Sequence, residues 1–420
     1  MQIVIDNLWV LFSAILVIMM QAGFALLEAG STRMKNAGHV ASKQILTIGI
    51  ALIAFWVCGY GLTFGEGKWI GTNGWFLNLA QSGDLKNEVS FFFQFSFLAV
   101  SLAIVWGGFA ERAKLSVYLI FGLLYCVVIY PVVGHWVWGG GWLHDLGKQD
   151  FAGSTVVHLQ GAIAAFVATI LLKPRLGKFN SDGSANSLLG HNQVYSVLGV
   201  LIIWIGWFGF NAGSTLTVKD GFYTYVALTT HLAAAAGIFG AMGMSRILTG
   251  KISFGSILNG VLAALVAITA SCAFVKPWAA VLIGFIAGVV AIYTGWWIEK
   301  RRIDDPISAA SVHGIAGIWG TLSTGLFAAP DLVRKVGVGK SGLLYGGGFQ
   351  QLGVQTLGIV VTISYVTIAS FLILWALKKT IGIRVSKENE QQGLDVSEHG
   401  VYGYAEHFVM KVSRQKKEVS

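Results

Sequence analysis

Two stretches, Asp150-Phe-Ala-Gly-Ser-Thr-Val-Val-His158 and Asp305-Pro-Ile-Ser-Ala-Ala-Ser-Val-His313, repeat one pattern: an aspartate, seven residues, then a histidine inside a long apolar run. Small and apolar residues follow each histidine, Leu-Gln-Gly-Ala-Ile-Ala-Ala after the first and Gly-Ile-Ala-Gly-Ile-Trp-Gly after the second. If each aspartate sits where a helix begins to cross a membrane, the histidine lies about 12 Å deeper at helical rise. In a hydrocarbon core roughly 30 Å thick, that depth is near the middle.

The rest of the chain has the composition this reading needs. Of 420 residues 55% are hydrophobic and 12% are charged, and the mean hydropathy is +0.68. Soluble domains carry about 25% charged residues, so the chain reads as an integral membrane protein without a large soluble domain. Its 54 glycines suit helices that pack closely through small residues in lipid. The formal charge of +9 does not point to nucleic acid, because basic residues gather at the ends of apolar runs and in the C-terminal tail, leaving no soluble basic face. Cys58, Cys126 and Cys272 lie in apolar stretches without a CxxC pair, which reads as space-filling thiols, with neither a metal site nor a disulfide framework. Asp6 precedes the first apolar run, and neither a basic leader nor a small-residue cleavage site is seen there, so that run reads as a retained span.

Apolar windows of about twenty residues give eleven candidate spans, at 8–28, 40–64, 89–110, 115–136, 154–172, 194–213, 222–248, 256–275, 278–298, 307–329 and 353–377. The connections on one side hold twelve basic residues and those on the other eight, which places the N-terminus outside and the C-terminus inside. The two Asp/His copies open spans five and ten, which therefore run in opposite directions. That is the pattern of an inverted repeat, five helices per half with an eleventh outside the symmetry. A weaker echo links the end of span one, Ala22-Gly-Phe-Ala-Leu-Leu-Glu-Ala-Gly-Ser-Thr32, to the end of span six, Trp207-Phe-Gly-Phe-Asn-Ala-Gly-Ser-Thr215. The expected architecture is all-α: a membrane domain over residues 1–380 and a cytoplasmic regulatory tail over 381–420.

Ionisable side chains at bilayer depth usually line a pathway, and two neutral imidazoles have a specific use there. Each offers one donor and one acceptor, so together His158 and His313 can hold a small polar molecule in a dry pore. Burial and mutual repulsion leave at most one proton to share between them.

These residues carry a resemblance. The chain resembles the ammonium transporter family, the Amt, Mep and Rh proteins, on its Amt side, from about residue 8 to residue 405. The similarity rests on Gln21-Ala-Gly-Phe-Ala-Leu-Leu-Glu-Ala-Gly30 with Lys35-Asn36, on Gly108-Phe-Ala-Glu-Arg112, on Trp138-Gly-Gly-Gly141 and on Asp150 to His158. It continues in Gly206-Trp-Phe-Gly-Phe-Asn-Ala-Gly-Ser214, in Asp304-Asp-Pro306 through His313, and in Gly393-Leu-Asp-Val-Ser-Glu-His-Gly400. The resemblance implies a homotrimer in a cell membrane, bacterial plasma membrane by type, with one pore per subunit, no cofactor and no metal. It implies an outer ammonium site at Trp138, Phe97 and Ser214, an aromatic gate of Phe97 with Phe210, and a pore lined by His158 and His313. It further implies that the Gly393 to Gly400 motif contacts a neighbouring subunit and a PII-type signalling protein, the tail departing from common bacterial patterns at Val401-Tyr-Gly-Tyr404.

Physical chemistry fits these roles without requiring them. An aromatic face attracts ammonium by about 1–2 kcal/mol in a partly dry site, and the Ser214 hydroxyl can accept one of its hydrogens. Against this, Trp138 could be an interfacial tryptophan, Phe97 and Phe210 could be core filling, and Ser214 could bond its own helix backbone. Asp150 could recruit or deprotonate the cation, or cap the helix that follows it; capping is favoured, because Asp305 repeats the geometry as an inner symmetry mate where no recruitment is needed. His231 reads as packing or hydrogen bonding, and the basic end Lys411-Val-Ser-Arg-Gln-Lys-Lys417 as a solvated segment. The main alternative function is an ammonium sensor, which would need a partner, since nothing resembling a kinase or cyclase follows residue 405. An enzyme is disfavoured: no nucleophile stands at a credible spacing from the histidines, and no helical His-Glu zinc motif occurs.

Overall fold

In lipid a spanning segment must satisfy its own backbone, and an apolar run of about twenty residues does so as a helix. The computed structural model describes residues 1–80 and 83–404, and among these there are helices and no strands. Among the described residues, ten helices are long and apolar enough to cross a membrane. They are α1 (Gln2–Ser31), α2 (Met34–Phe64), α3 (Asn87–Phe109), α4 (Leu115–Asp145) and α5 (Ser154–Leu172), then α6 (Gln193–Ala212), α7 (Lys219–Thr249), α8 (Phe254–Ser271) and α9 (Pro277–Lys300), and lastly α11 (Gln350–Thr380). Between α9 and α11, α10 runs over residues 310–327, as Ala310–Ile315 continued by Ala316–Phe327. It is the expected tenth span, yet it is not among the ten. Its Ser311, His313, Thr321, Ser323 and Thr324 are buried, and His313, Thr321 and Ser323 bond His158, Thr155 and Ser271 of other helices, so α10 turns polar side chains to protein instead of presenting a wholly apolar surface to lipid.

The direction of these helices follows from which ends touch. Arg175, just past the end of α5, bonds Asp304, just before α10, with Nε to Oδ2 at 2.8 Å. Thr155 in the first turn of α5 meets Thr321 far along α10, Oγ1 to Oγ1 at 2.7 Å. The two helices are therefore antiparallel. The same holds for α1 and α6: Ser31 at the end of one meets Ser196 near the start of the other at 3.0 Å. At their opposite ends, Asp6 accepts the Val218 N–H at 2.8 Å. The halves α1–α5 and α6–α10 thus pair with reversed sense, while α11 packs on both α5 and α10.

Close packing comes from small residues. A Cβ on Gly284 of α9 would stand 2.1 Å from the carbonyl oxygen of Ala233 on α7, so those backbones touch and no side chain fits between them.

At the Asp305 end of the bundle, loops are tied by buried charge. Arg175 Nη1 bonds Glu111 at 2.6 Å, and Glu111 also pairs with Arg33. Burial alone raises the Asp304 carboxyl, but the Arg175 guanidinium more than reverses this and holds it down at about 2. After α11 the chain folds back over the same end, where Arg384 donates to the carbonyls of Leu172 and Pro174 and pairs with Glu390. Two short helices follow, α12 (Lys387–Gln392) and α13 (Leu394–His399). Asp395 accepts the N–H groups of Gly38 at 3.1 Å and His39 at 2.7 Å, and the His39 and His399 rings meet at 2.9 Å. The tail is thereby bonded near the start of α2 within its own chain. The basic end, Lys411 to Lys417, lies outside the described residues.

Candidate functional site

The two Asp/His stretches begin their helices in the same way. Gly153 and Ser308, each three residues after its aspartate, take left-handed φ angles of 111° and 61°. Asp150 then accepts the N–H groups of Gly153 at 3.1 Å, Thr155 at 3.0 Å and Val156 at 3.0 Å. Asp305 accepts those of Ala309 at 3.1 Å and Ala310 at 2.8 Å. Each carboxylate therefore satisfies N–H groups that the first helical turn leaves without partners. Burial, the largest influence on it, raises the Asp150 carboxyl, with Lys148 and these N–H groups pulling the other way.

Both helices open with a wide, π-type turn, Ser154–Leu159 and Ala310–Ile315, a feature that often marks functional positions. From these turns His158 and His313 approach Nδ1 to Nδ1 at 3.3 Å, with ring planes 15° apart. A contact between two ring nitrogens needs one donor and one acceptor, so a single hydrogen lies between them. Both rings are buried, and His158 Nε2 has no partner among the described residues.

Aromatic rings cover the His158 side of the pair. Phe97 and Phe210 stack with centroids 4.1 Å apart, and Phe210 lies 5.5 Å from His158. Trp138 meets Phe97 edge-on at 5.9 Å, and its indole N–H donates to the Asp150 carbonyl at 2.8 Å. Ser214 donates to the Phe210 carbonyl at 2.8 Å, which leaves its oxygen lone pairs as acceptors. Beyond the aromatic stack, at the Asp150 end, a cavity of about 790 Å³ is lined by Trp138, Phe97, Ser214, Asp150 and Lys148 among others. On the other side, His313 lines a smaller cavity of about 190 Å³ with Phe24, Glu28, Ser31 and Asn259. The fold thus brings seven of the sequence-derived residues together, through pairwise contacts or as lining of the larger cavity, while Asp305 precedes the start of α10.

The profile described as the Ammonium Transporter Family matches residues 8–404. The chain belongs to the ammonium transporter family. Among curated members of this family, it is 44% identical to "Ammonium transporter Amt2" of Archaeoglobus fulgidus over 95% of this chain and 88% of that one. It is 36% identical to "Ammonium transporter" of Bacillus subtilis over 95% of this chain and 98% of that one. Among solved structures it is similar to a "Sensor Amt Protein", with a TM-score of 0.89 at 38% identity over 94% of this chain and 98% of the other. It is also similar to Candida albicans Mep2, with a TM-score of 0.85 at 27% identity over 91% and 86%.

Several residues of this ammonium transporter family member that bear on the site were not singled out from sequence. Trp207 stacks on His158 with centroids 5.4 Å apart and is held by an N–H bond to Thr269 at 3.0 Å. It sits in the quoted Gly206 to Ser214 motif, where position alone does not separate it from fourteen other tryptophans. Glu28 and Lys43 form a fully buried pair 3.8 Å apart; two opposite charges in apolar runs were the available signal. Lys148 is buried beside Asp150, although it stands in a connection between two apolar runs. His231 accepts the Trp204 indole N–H at 2.8 Å and lies against Phe208, away from the line of site residues.

Proposed function

We propose that this protein carries ammonium across a cell membrane, binding the ion at the Asp150 end, removing a proton, and passing ammonia between His158 and His313. The observation that carries the reading is the facing imidazole pair, set between two cavities and roofed by the Phe97–Phe210 stack. Taking an intact cation through such an apolar passage costs several kcal/mol in lost hydration. An ion that can leave its proton behind avoids most of that cost; potassium cannot. Trp138, Phe97 and Ser214 supply aromatic faces and a hydroxyl acceptor for the ion at the mouth. Asp150 caps the start of α5 and so shapes that mouth, and Asp305 caps the start of α10 in the same way. The proton follows through the pair or a separate water file, making transport electrogenic.

In this reading α10 is a true span, giving eleven, with the N-terminus outside and the tail over 381–420 inside. The working unit is a homotrimer in a plasma membrane of bacterial type, and the docked tail is where a PII-type regulator acts. The decisive test is electrical recording on supported membranes with reconstituted protein. Ammonium pulses give a signal in the wild type; a signal unchanged after replacing both His158 and His313 by Ala would remove the pair from the conduction path.

A second reading is that of an ammonium receptor with little net flux, favoured by the similarity to a solved sensor Amt protein. Ammonium flux into proteoliposomes separates the two: a receptor binds without accumulating the ion.

A further inference from the structure

Lys148 has the wrong sign for its place. It lines the 790 Å³ cavity together with Trp138, Asp150 and Ser214, where a cation is to be attracted, yet it is itself a cation and only 2% exposed. Its ammonium group is also fixed in place. Nζ donates to the Thr155 hydroxyl at 3.0 Å, and that hydroxyl in turn meets Thr321 at 2.7 Å. The stem lies flat on α11, where a Cβ on Gly358 would stand 2.5 Å from the Lys148 Cδ and Cε. The neutral partners around it, Thr155, Thr321 and Gly358, offer no counter-charge. His158 follows one turn further along α5, on the pore side. Among the described residues, the charged group that acts on Lys148 is Asp150 from its own loop, whose two oxygens both accept N–H groups, as an ionised carboxylate does.

We propose that Lys148 sets the affinity of the outer mouth for ammonium-sized cations by opposing the charge of Asp150. The proposal rests on reading that cavity as the ammonium-binding mouth. While Lys148 carries its proton, the pair is neutral overall and the mouth attracts a cation only through its rings and hydroxyl. Once Lys148 is neutral, the Asp150 charge is unopposed and the ion is held more tightly. Burial pushes the Lys148 ammonium down to about 8, against the pull of Asp150, so the group is charged below that pH and neutral above it. Ammonium affinity therefore rises as pH passes upward through about 8. The expected gain is on the order of tenfold, the size of effect one unit charge has near a partly dry site.

The test is the half-saturating concentration of the ammonium ion, corrected for the ion's own deprotonation, measured by supported-membrane recording from about pH 6 to about pH 9. The wild type moves from a high to a low value across that range. Lys148→Met has no charge to lose and stays at the low value. Lys148→Arg cannot be deprotonated and stays at the high value. Thr155→Val keeps the lysine but removes its hydrogen-bond partner, so the transition moves to lower pH; this variant serves if either replacement of Lys148 does not fold. A Lys148→Arg profile that follows the wild type, or a common profile in all variants, overturns the role of Lys148 alone. A wild type with no ammonium signal at any pH overturns the transport reading instead.

Discussion

His158 and His313 meet Nδ1 to Nδ1 at 3.3 Å across the boundary between two antiparallel helices. One nitrogen donates and the other accepts, so each ring sets the tautomer of its partner. Replacing His313 by Ala leaves a buried nitrogen of His158 unpaired, at an expected cost of about 1–3 kcal/mol. A lowered melting temperature in detergent, partly restored by His313→Gln, checks this; an unchanged one would show that the contact adds no stability.

The Phe97–Phe210 stack separates the larger cavity from His158. Phe210→Ala opens that barrier and admits water, which lowers the cost of a bare cation in the passage. Potassium pulses, silent on the wild type, are expected to give a signal in this variant, and Phe210→Leu is expected to restore most of the rejection. Continued silence from Phe210→Ala would place the barrier elsewhere.

Asp304 makes stability depend on acid. Its carboxyl is held at about 2, Arg175 overcoming the opposing effect of burial, against an ordinary value of 3.8. A depressed carboxyl contributes stability that is fully present above its unfolded pKa and lost as pH falls through the folded one. That contribution is roughly 2 kcal/mol, and its loss is confined to about pH 4 down to pH 2. Asp304→Asn is expected to melt lower than the wild type at neutral pH, with the difference shrinking in this acid window. A difference that stays constant in acid would exclude the ionic origin.

Asp395 holds the tail to α2 through the Gly38 and His39 N–H groups. Loss of a capping carboxylate costs about 1 kcal/mol, a large share of what fixes so short a segment. Asp395→Ala is therefore expected to free the segment after Thr380 for proteolysis several-fold faster, read by cleavage at Lys387 with limiting trypsin. Equal cleavage rates would mean that the remaining ties, those of Arg384, Glu390, Leu394 and Glu398 among them, hold the tail without Asp395.

The amino-acid sequence alone determined the class and the ten long apolar helices, because a hydrocarbon environment leaves a signal every twenty residues that needs no neighbour to be read. It also marked Asp150, His158, Asp305 and His313, since charge and imidazole are conspicuous within apolar runs, and the repeated spacing disclosed the reversed sense of the two halves. Tertiary structure decided the rest. Which of 26 phenylalanines stack over His158 depends on which helices meet and at what height, as does the choice of Trp207. Lys148 stands in a connection between apolar runs, and only the packing of α11 against its stem shows it to be buried. The Arg175 links to Glu111 and Asp304 join positions 64 and 129 residues apart, and α10 can be polar because protein surrounds it. Hydropathy and period are properties along the chain, whereas pairing, burial and opposed charge arise only when distant segments pack.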